Sequence, residues 1–126
     1  MKRFIVCGGR DFNDREAVFN HLDRLHAKVG VAGIAHGGAT GVDTFAGEWA
    51  KERGIPCEVF PVPDAEWKKR GPAAGPLRNA YMAAKYQPDG VVAFPGGTGT
   101  ASMTSIAEFN GIKVWEPMAT VSRKRA

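Results

Sequence analysis

Phe4-Ile5-Val6-Cys7-Gly8-Gly9-Arg10 decides the fold: four apolar residues in a row, then two glycines and a cation. A short apolar run bounded by glycine reads as a strand buried on both faces, as in a parallel sheet. The same ending recurs twice more. Val31 to His36 closes on Gly37-Gly38-Ala39-Thr40-Gly41, and Asp89 to Phe94 closes on Pro95-Gly96-Gly97-Thr98-Gly99-Thr100.

Helical periodicity follows each of these endings. Val18, Leu22, Leu25 and Val29 recur at helical spacing over about Asp14 to Lys28, with Asn13 and Glu16 placed as a capping box. A second helix is predicted from Val42 to Arg53, its core face carrying Val42, Phe45, Trp49 and Ala50, and Gly54 ends it. Pro56 to Pro61 reads as the third strand and Val62 to Gly75 as a connection punctuated by proline and glycine. A helix is predicted to start near Pro76, another to run from Thr100 to Asn110, and Lys113 to Glu116 forms a last strand.

Strands alternating with helices of this length predict an α/β fold, a parallel sheet covered on both faces. The longest crossover lies between strands three and four, so the expected order of the five strands is 3-2-1-4-5. The order then reverses between strands one and four, and ligands of open α/β sheets bind beyond the carboxyl ends of the strands at such a reversal.

The 126 residues make one domain, 1–118, followed by a basic tail, 119–126, that includes Arg123, Lys124 and Arg125 and is expected to be flexible. A net charge of +4 suits an anionic partner. Cys7 and Cys57 each sit in an apolar run and read as small core residues, with neither disulfide nor metal implied. The four-residue apolar run near the N-terminus is too short for a signal peptide, and no stretch is long enough to span a bilayer, so a cytoplasmic location without membrane contact is expected.

The chemistry concentrates in the three glycine-rich joints. Glycine lets backbone approach a ligand closely, and the free N–H groups at the following helix start attract an anion. Gly8, Gly9, Gly37, Gly38, Gly41, Pro95, Gly96, Gly97, Thr98, Gly99 and Thr100 are therefore candidate ligand contacts, with Thr98 and Thr100 adding hydroxyls and Thr100 a candidate cap. Turns from strand to helix use glycine anyway; three on one edge favour binding. Neither a Walker phosphate loop nor a full dinucleotide fingerprint is present.

Arg10 is placed to fork onto a phosphate, against the alternative of pairing with Asp11 or Asp14. Arg78 and Asn79 lie at a helix start, where a cation opposes the dipole unless it faces an anion; the alternative is a salt bridge to Asp64 or Glu66. Asp43 is a candidate acceptor for ribose hydroxyls, or a plain complement to the helix dipole. His36 ends its strand where it can reach the site, while His21 and His26 lie on the first helix, so no metal-ligand spacing arises and neither metal nor cofactor is expected. Trp49, Trp67 and Trp115 read as packing residues, Trp67 being the one able to stack on a base, and Lys68 to Arg70 as a solvated basic patch.

Gly8-Gly9-Arg10-Asp11-Phe12, His36-Gly37-Gly38-Ala39-x-Gly41-Val42-Asp43, Ala73-Ala74-Gly75-Pro76-Leu77-Arg78-Asn79 and Ala93-Phe94-Pro95-Gly96-Gly97-Thr98-Gly99-Thr100 together resemble the SLOG superfamily, and more closely its small YspA-type branch of bacteria and phages. The match runs from Lys2 to about Glu116. It implies a Rossmann-like three-layer sandwich that binds nucleotides or nucleotide-derived ligands, and, since relatives pair through helices, a homodimer by analogy. The superfamily includes the Lonely Guy phosphoribohydrolases, the DNA-processing protein of natural transformation and sensor domains of conflict systems. In the phosphoribohydrolases a Pro-Gly-Gly-x-Gly-Thr-x-x-Glu motif supplies a catalytic glutamate, assisted by an arginine to which Arg78 corresponds. Here the glutamate position is Met103, and Glu108, five residues on, lies off that helical face.

The expectation is therefore a binder, in a sensor's role, of a mononucleotide, nucleotide-sugar or ADP-ribose-like ligand. The first alternative is hydrolysis of nucleoside 5′-monophosphates with Asp11 or Asp43 as a non-standard carboxylate. Nucleic-acid binding ranks last, because no basic helix or aromatic-interleaved stripe is present.

Overall fold

The structure, a computed structural model, describes residues 1–119. The basic tail expected over 119–126 lies outside the described residues apart from Ala119. Strands β1 (Lys2–Cys7), β2 (Val31–His36), β3 (Cys57–Val59), β4 (Gly90–Ala93) and β5 (Lys113–Trp115) form one parallel sheet in the order β3-β2-β1-β4-β5, as the crossover lengths predict. β1 is the centre: Phe4 and Ile5 lie opposite Ile34 and Ala35 of β2, and opposite Gly90 and Val91 of β4.

Alternation along the strands divides the core in two. Phe4, Val6, Ile34, Val92 and Phe94 face α1 (Arg15–Val29) and α2 (Val42–Arg53), whose Val18, Leu22, Ala46 and Trp49 complete that layer. Ile5, Cys7, Ala35, Val91 and Ala93 face the opposite side. They meet Met82, Ala83 and Tyr86 of α4 (Ala74–Tyr86) and Met103 and Ala107 of α5 (Thr98–Phe109). The central strands are buried on both faces over Phe4–Cys7 and Gly90–Ala93, hence the continuous apolar runs of β1 and β4, while the edge strands β3 and β5 are largely exposed.

Several local expectations are corrected. Asp14, not Asn13, caps α1, its carboxylate accepting from the Ala17 N–H at 3.0 Å. The connection after β3 holds a helix, α3 (Asp64–Arg70), and a 3₁₀ turn over Gly71–Ala73, so α4 begins at Ala74 rather than Pro76. α3 buries no side chain, so no apolar periodicity announces it. Its signal is charge order, with Asp64 and Glu66 in the first turn and Lys68, Lys69 and Arg70 in the last, matching the helix dipole. α5 starts two residues earlier than expected, at Thr98, with Gly97 at its N-cap and no side-chain cap, so Thr100 does not fill that role.

Cys7 is buried as expected but Cys57, on the edge strand β3, is exposed. Trp49 is wholly buried, whereas Trp67 and Trp115 are exposed by 41% and 39%, because α3 only leans on the fold and β5 is an edge.

Candidate functional site

The loops after β1, β2 and β4 meet at Gly9. Its N–H donates to the Pro95 carbonyl at 2.8 Å, and its own carbonyl accepts from the Val42 N–H at 3.2 Å. Gly41 (φ +74°) lies against this junction so closely that a Cβ there would collide with the Gly9 carbonyl oxygen. The Thr40 hydroxyl adds a bond to the Arg10 carbonyl at 3.0 Å. Much of the glycine in the first two loops is therefore required by loop-on-loop packing.

Gly99 is different. A side chain there would meet nothing within 4 Å, and the residue sits in the first turn of α5 with no left-handed φ. Glycine in a helix costs about 0.5–1 kcal/mol relative to alanine, and neither packing nor conformation accounts for it here.

The second loop is braced from beneath. Asp43, buried at the start of α2, accepts on Oδ2 from the N–H groups of Gly37 (3.2 Å) and Ala39 (3.1 Å). His36, also buried, accepts the Gly38 N–H on Nδ1 at 3.0 Å. Arg78 reaches across from α4: Nη1 donates to the carbonyls of Gly37 (2.8 Å) and Phe60 (2.9 Å), and Nε donates to Asn79 Oδ1 at 3.0 Å. Buried Asn79 uses its amide to hold α5, donating to the Gly99 carbonyl at 3.2 Å.

Burial raises the Asp43 carboxyl above its ordinary range, opposed by the Ala39 N–H and by His36 and Arg78. Burial lowers His36, with Asp43 pulling the other way and Arg78 adding to the depression. Arg78 is lowered by burial and by the charge of Arg10, against the attraction of Asp43. Cys7, beneath the same edge, is pushed up to about 12, chiefly by burial, so its sulfur stays a thiol and no nucleophile.

Neither sequence alternative for the two arginines holds. Arg10 is exposed and forms no ion pair with Asp11 or Asp14, and Arg78 pairs with neither Asp64 nor Glu66, which binds Arg70 instead at 2.7 Å. Asp11 is exposed; Thr98 is exposed and Thr100 half-buried at the start of α5. Asp43 and His36 prove to be props of the second loop. Met103 is buried in the core, so no carboxylate stands at the position corresponding to the phosphoribohydrolase glutamate, and Glu108 is exposed.

A cleft of about 330 Å³ opens on the other flank of the third loop, between the start of α5 and the end of β5. Thr100, Thr104, Glu116, Phe94 and Met118 line it together with Gly96 and Gly97. It lies one strand away from the expected β1–β4 crevice, because the loops at Gly9 close on each other there. Thr104, Glu116 and Met118 were not legible as site residues, although Glu116, an acid at the carboxyl end of a strand, carried a positional hint.

An all-parallel 3-2-1-4-5 sheet with glycine-rich loops converging on one edge defines a Rossmann-like domain, and this chain belongs to the YspA, cpYpsA-related SLOG family. The sequence pattern of that family matches residues 2–69. Over 121 residues, covering 90% of this chain and 94% of the relative, it is 37% identical to the Gene 61 protein of Mycobacterium phage D29. No helix among the described residues is long and apolar enough to cross a membrane.

Proposed function

We propose that the protein binds a phosphate-bearing, nucleotide-type ligand at the loop-rich edge of the sheet and acts as a sensor of it. The observation that carries this reading is the pair Arg10 and Arg78. Burial and the charge of Arg10 hold Arg78 below its ordinary range, and neither guanidinium has a carboxylate within salt-bridge distance among the described residues. Like charges on one edge, beside the first turn of α5 whose N–H groups have no partner within the helix, are stabilised by an anion. Gly99, open to solvent and unexplained by packing, supports close approach of that anion to the start of α5.

Membership of the SLOG family is consistent with a nucleotide. Hydrolysis of the N-glycosidic bond is the weaker reading: Met103 is apolar and buried, and Asp43 is committed to two backbone N–H groups. Calorimetry against nucleoside monophosphates, nucleotide-sugars and ADP-ribose, with an assay for released base, tests both. Absence of binding across that panel would overturn the proposal, and base release would replace it with the enzymatic one.

We propose that the homodimer expected by analogy pairs through the α4–α5 face, where Phe109 is 91% exposed and an apolar groove of about 480 Å³ is lined by Ala83, Ala84, Ile106 and Ile112. A knob beside a groove on one face is self-complementary about a two-fold axis. Light scattering of the wild type and Phe109→Asp tests it: a dimer turned monomer supports the pairing, and a wild-type monomer removes it.

A further inference from the structure

α3 contributes no side chain to the core, yet it carries Trp67, which is 41% exposed. We propose that Trp67 is the platform on which the base of the nucleotide stacks, while the phosphate rests beside Arg10 and Arg78. This deepens the binding reading above and depends on it.

Placement carries the assignment. Gly75, Arg78 and Asn79 stand at i, i+3 and i+4 of α4, so they share one face of that helix. It is the face that delivers Arg78 to the Gly37 carbonyl and Asn79 to the Gly99 carbonyl. A Cβ added to Gly75 would lie 3.7 Å from Cη2 of Trp67, so the tip of the indole rests on the same face, one turn before Arg78. Three residues of α-helix rise about 4.5 Å, a separation that a ribose bridges between phosphate and base. The chain on either side of α3 keeps the indole there. It departs from Phe60, whose carbonyl Arg78 holds at 2.9 Å, and it returns in the first turn of α4.

The chemistry agrees with the placement. Trp49, a core residue, is wholly buried and donates its indole N–H to Asp23 at 2.8 Å. Trp67 has neither burial nor any hydrogen bond, aromatic ring or guanidinium on its side chain among the described residues. An open indole is a stacking surface, and every base offers it a π-face. Gly75 has no left-handed φ and would accept a methyl at ordinary contact distance, so neither backbone nor packing demands glycine there. Its lack of a side chain leaves the helix clear beside the indole. Lys68 and Lys69, both exposed and outside salt-bridge distance of any carboxylate among the described residues, add to the attraction for an anion.

Calorimetry on the wild type, Trp67→Ala and Trp67→Phe tests the stack, with 5′-AMP, GMP, CMP and UMP against ribose 5-phosphate as the base-free probe. Trp67→Ala is expected to weaken the tightest mononucleotide about tenfold, the scale of one lost stack, and to leave ribose 5-phosphate within about twofold. Trp67→Phe keeps an aromatic face and is expected to recover most of that loss. In the wild type, the indole N–H resonance of Trp67 is expected to shift with the mononucleotide and to stay in place with ribose 5-phosphate. Unchanged mononucleotide affinity in Trp67→Ala, or an indole resonance that does not move, overturns the inference while the binding proposal stands. Equal loss of both probes in Trp67→Ala, or a Trp67→Phe variant no better than Trp67→Ala, overturns it too. Should the wild type bind none of these probes, the binding proposal fails first and the inference with it.

Discussion

Nη1 of Arg78 lies 2.8 Å from the carbonyl oxygen of Gly37, tying the first turns of α4 to the end of β2 across the sheet's edge. The same nitrogen serves Phe60 at 2.9 Å, so one side chain fastens two strand ends and still presents charge to the site. Arg10 has no such internal duty, which separates the two arginines experimentally.

Arg78→Ala should cost about 2–4 kcal/mol of folding stability, since it strips a charge-assisted donor from two partly buried carbonyls. Arg10→Ala should change stability by less than about 0.5 kcal/mol, as for exposed residues without partners. Both should weaken nucleotide binding at least tenfold. Denaturant titration and calorimetry on the two variants check this, and a stability loss in Arg10→Ala would contradict the geometry.

Acid should destabilise the fold through His36. Its Nδ1 must stay unprotonated to accept the Gly38 N–H, and burial keeps its folded-state affinity for protons below that of the unfolded chain. The unfolded state therefore binds the extra proton more readily, so the contribution is complete above the ordinary histidine range and is lost as pH falls through and below it. The groups facing His36, namely Asp43 and Arg78, act in opposite senses on it. His21, also lowered by burial and by Arg24, adds to the same trend. Unfolding midpoints between pH 7 and pH 5 should fall in the wild type and fall less steeply in His36→Asn.

Met103→Glu restores the phosphoribohydrolase motif on paper. The side chain is buried among Ile5, Cys7 and Ala107, so a carboxylate there should cost about 3–5 kcal/mol and release no base from AMP. Thermal unfolding and a base-release assay check both halves; gained turnover would mean that α5 can rotate its face toward the ligand.

Gly99→Ala should do the reverse of most mutations. With no neighbour for the new methyl and a helical backbone, it should stabilise the protein by about 0.5–1 kcal/mol. It should at the same time weaken ligand binding by crowding the start of α5. A variant both more stable and unimpaired in binding would remove Gly99 from the site.

The strand order and the edge that carries the loops were legible in the chain because apolar runs ending in glycine are a one-dimensional signal. Burial on both faces leaves no polar residue in Phe4 to Cys7 or Val91 to Phe94. α3 was illegible for the opposite reason, since a helix that buries nothing leaves no apolar period. Edge position explains Cys57 and Trp115, which sit in apolar runs yet face solvent.

By itself, then, the sequence determined the sheet, its reversal and the convergence of glycine loops with Arg10 and Arg78, all of which follow from local pattern and connection length. Only the tertiary structure decided what each group does there. Gly41 serves another loop, Asp43 and His36 hold backbone N–H groups, and Gly97 and Gly99 at the start of α5 stand open with no packing reason. Those distinctions depend on atoms far apart in the chain meeting within 3 Å, as Gly9 and Pro95 do, and no spacing along one segment encodes such a meeting.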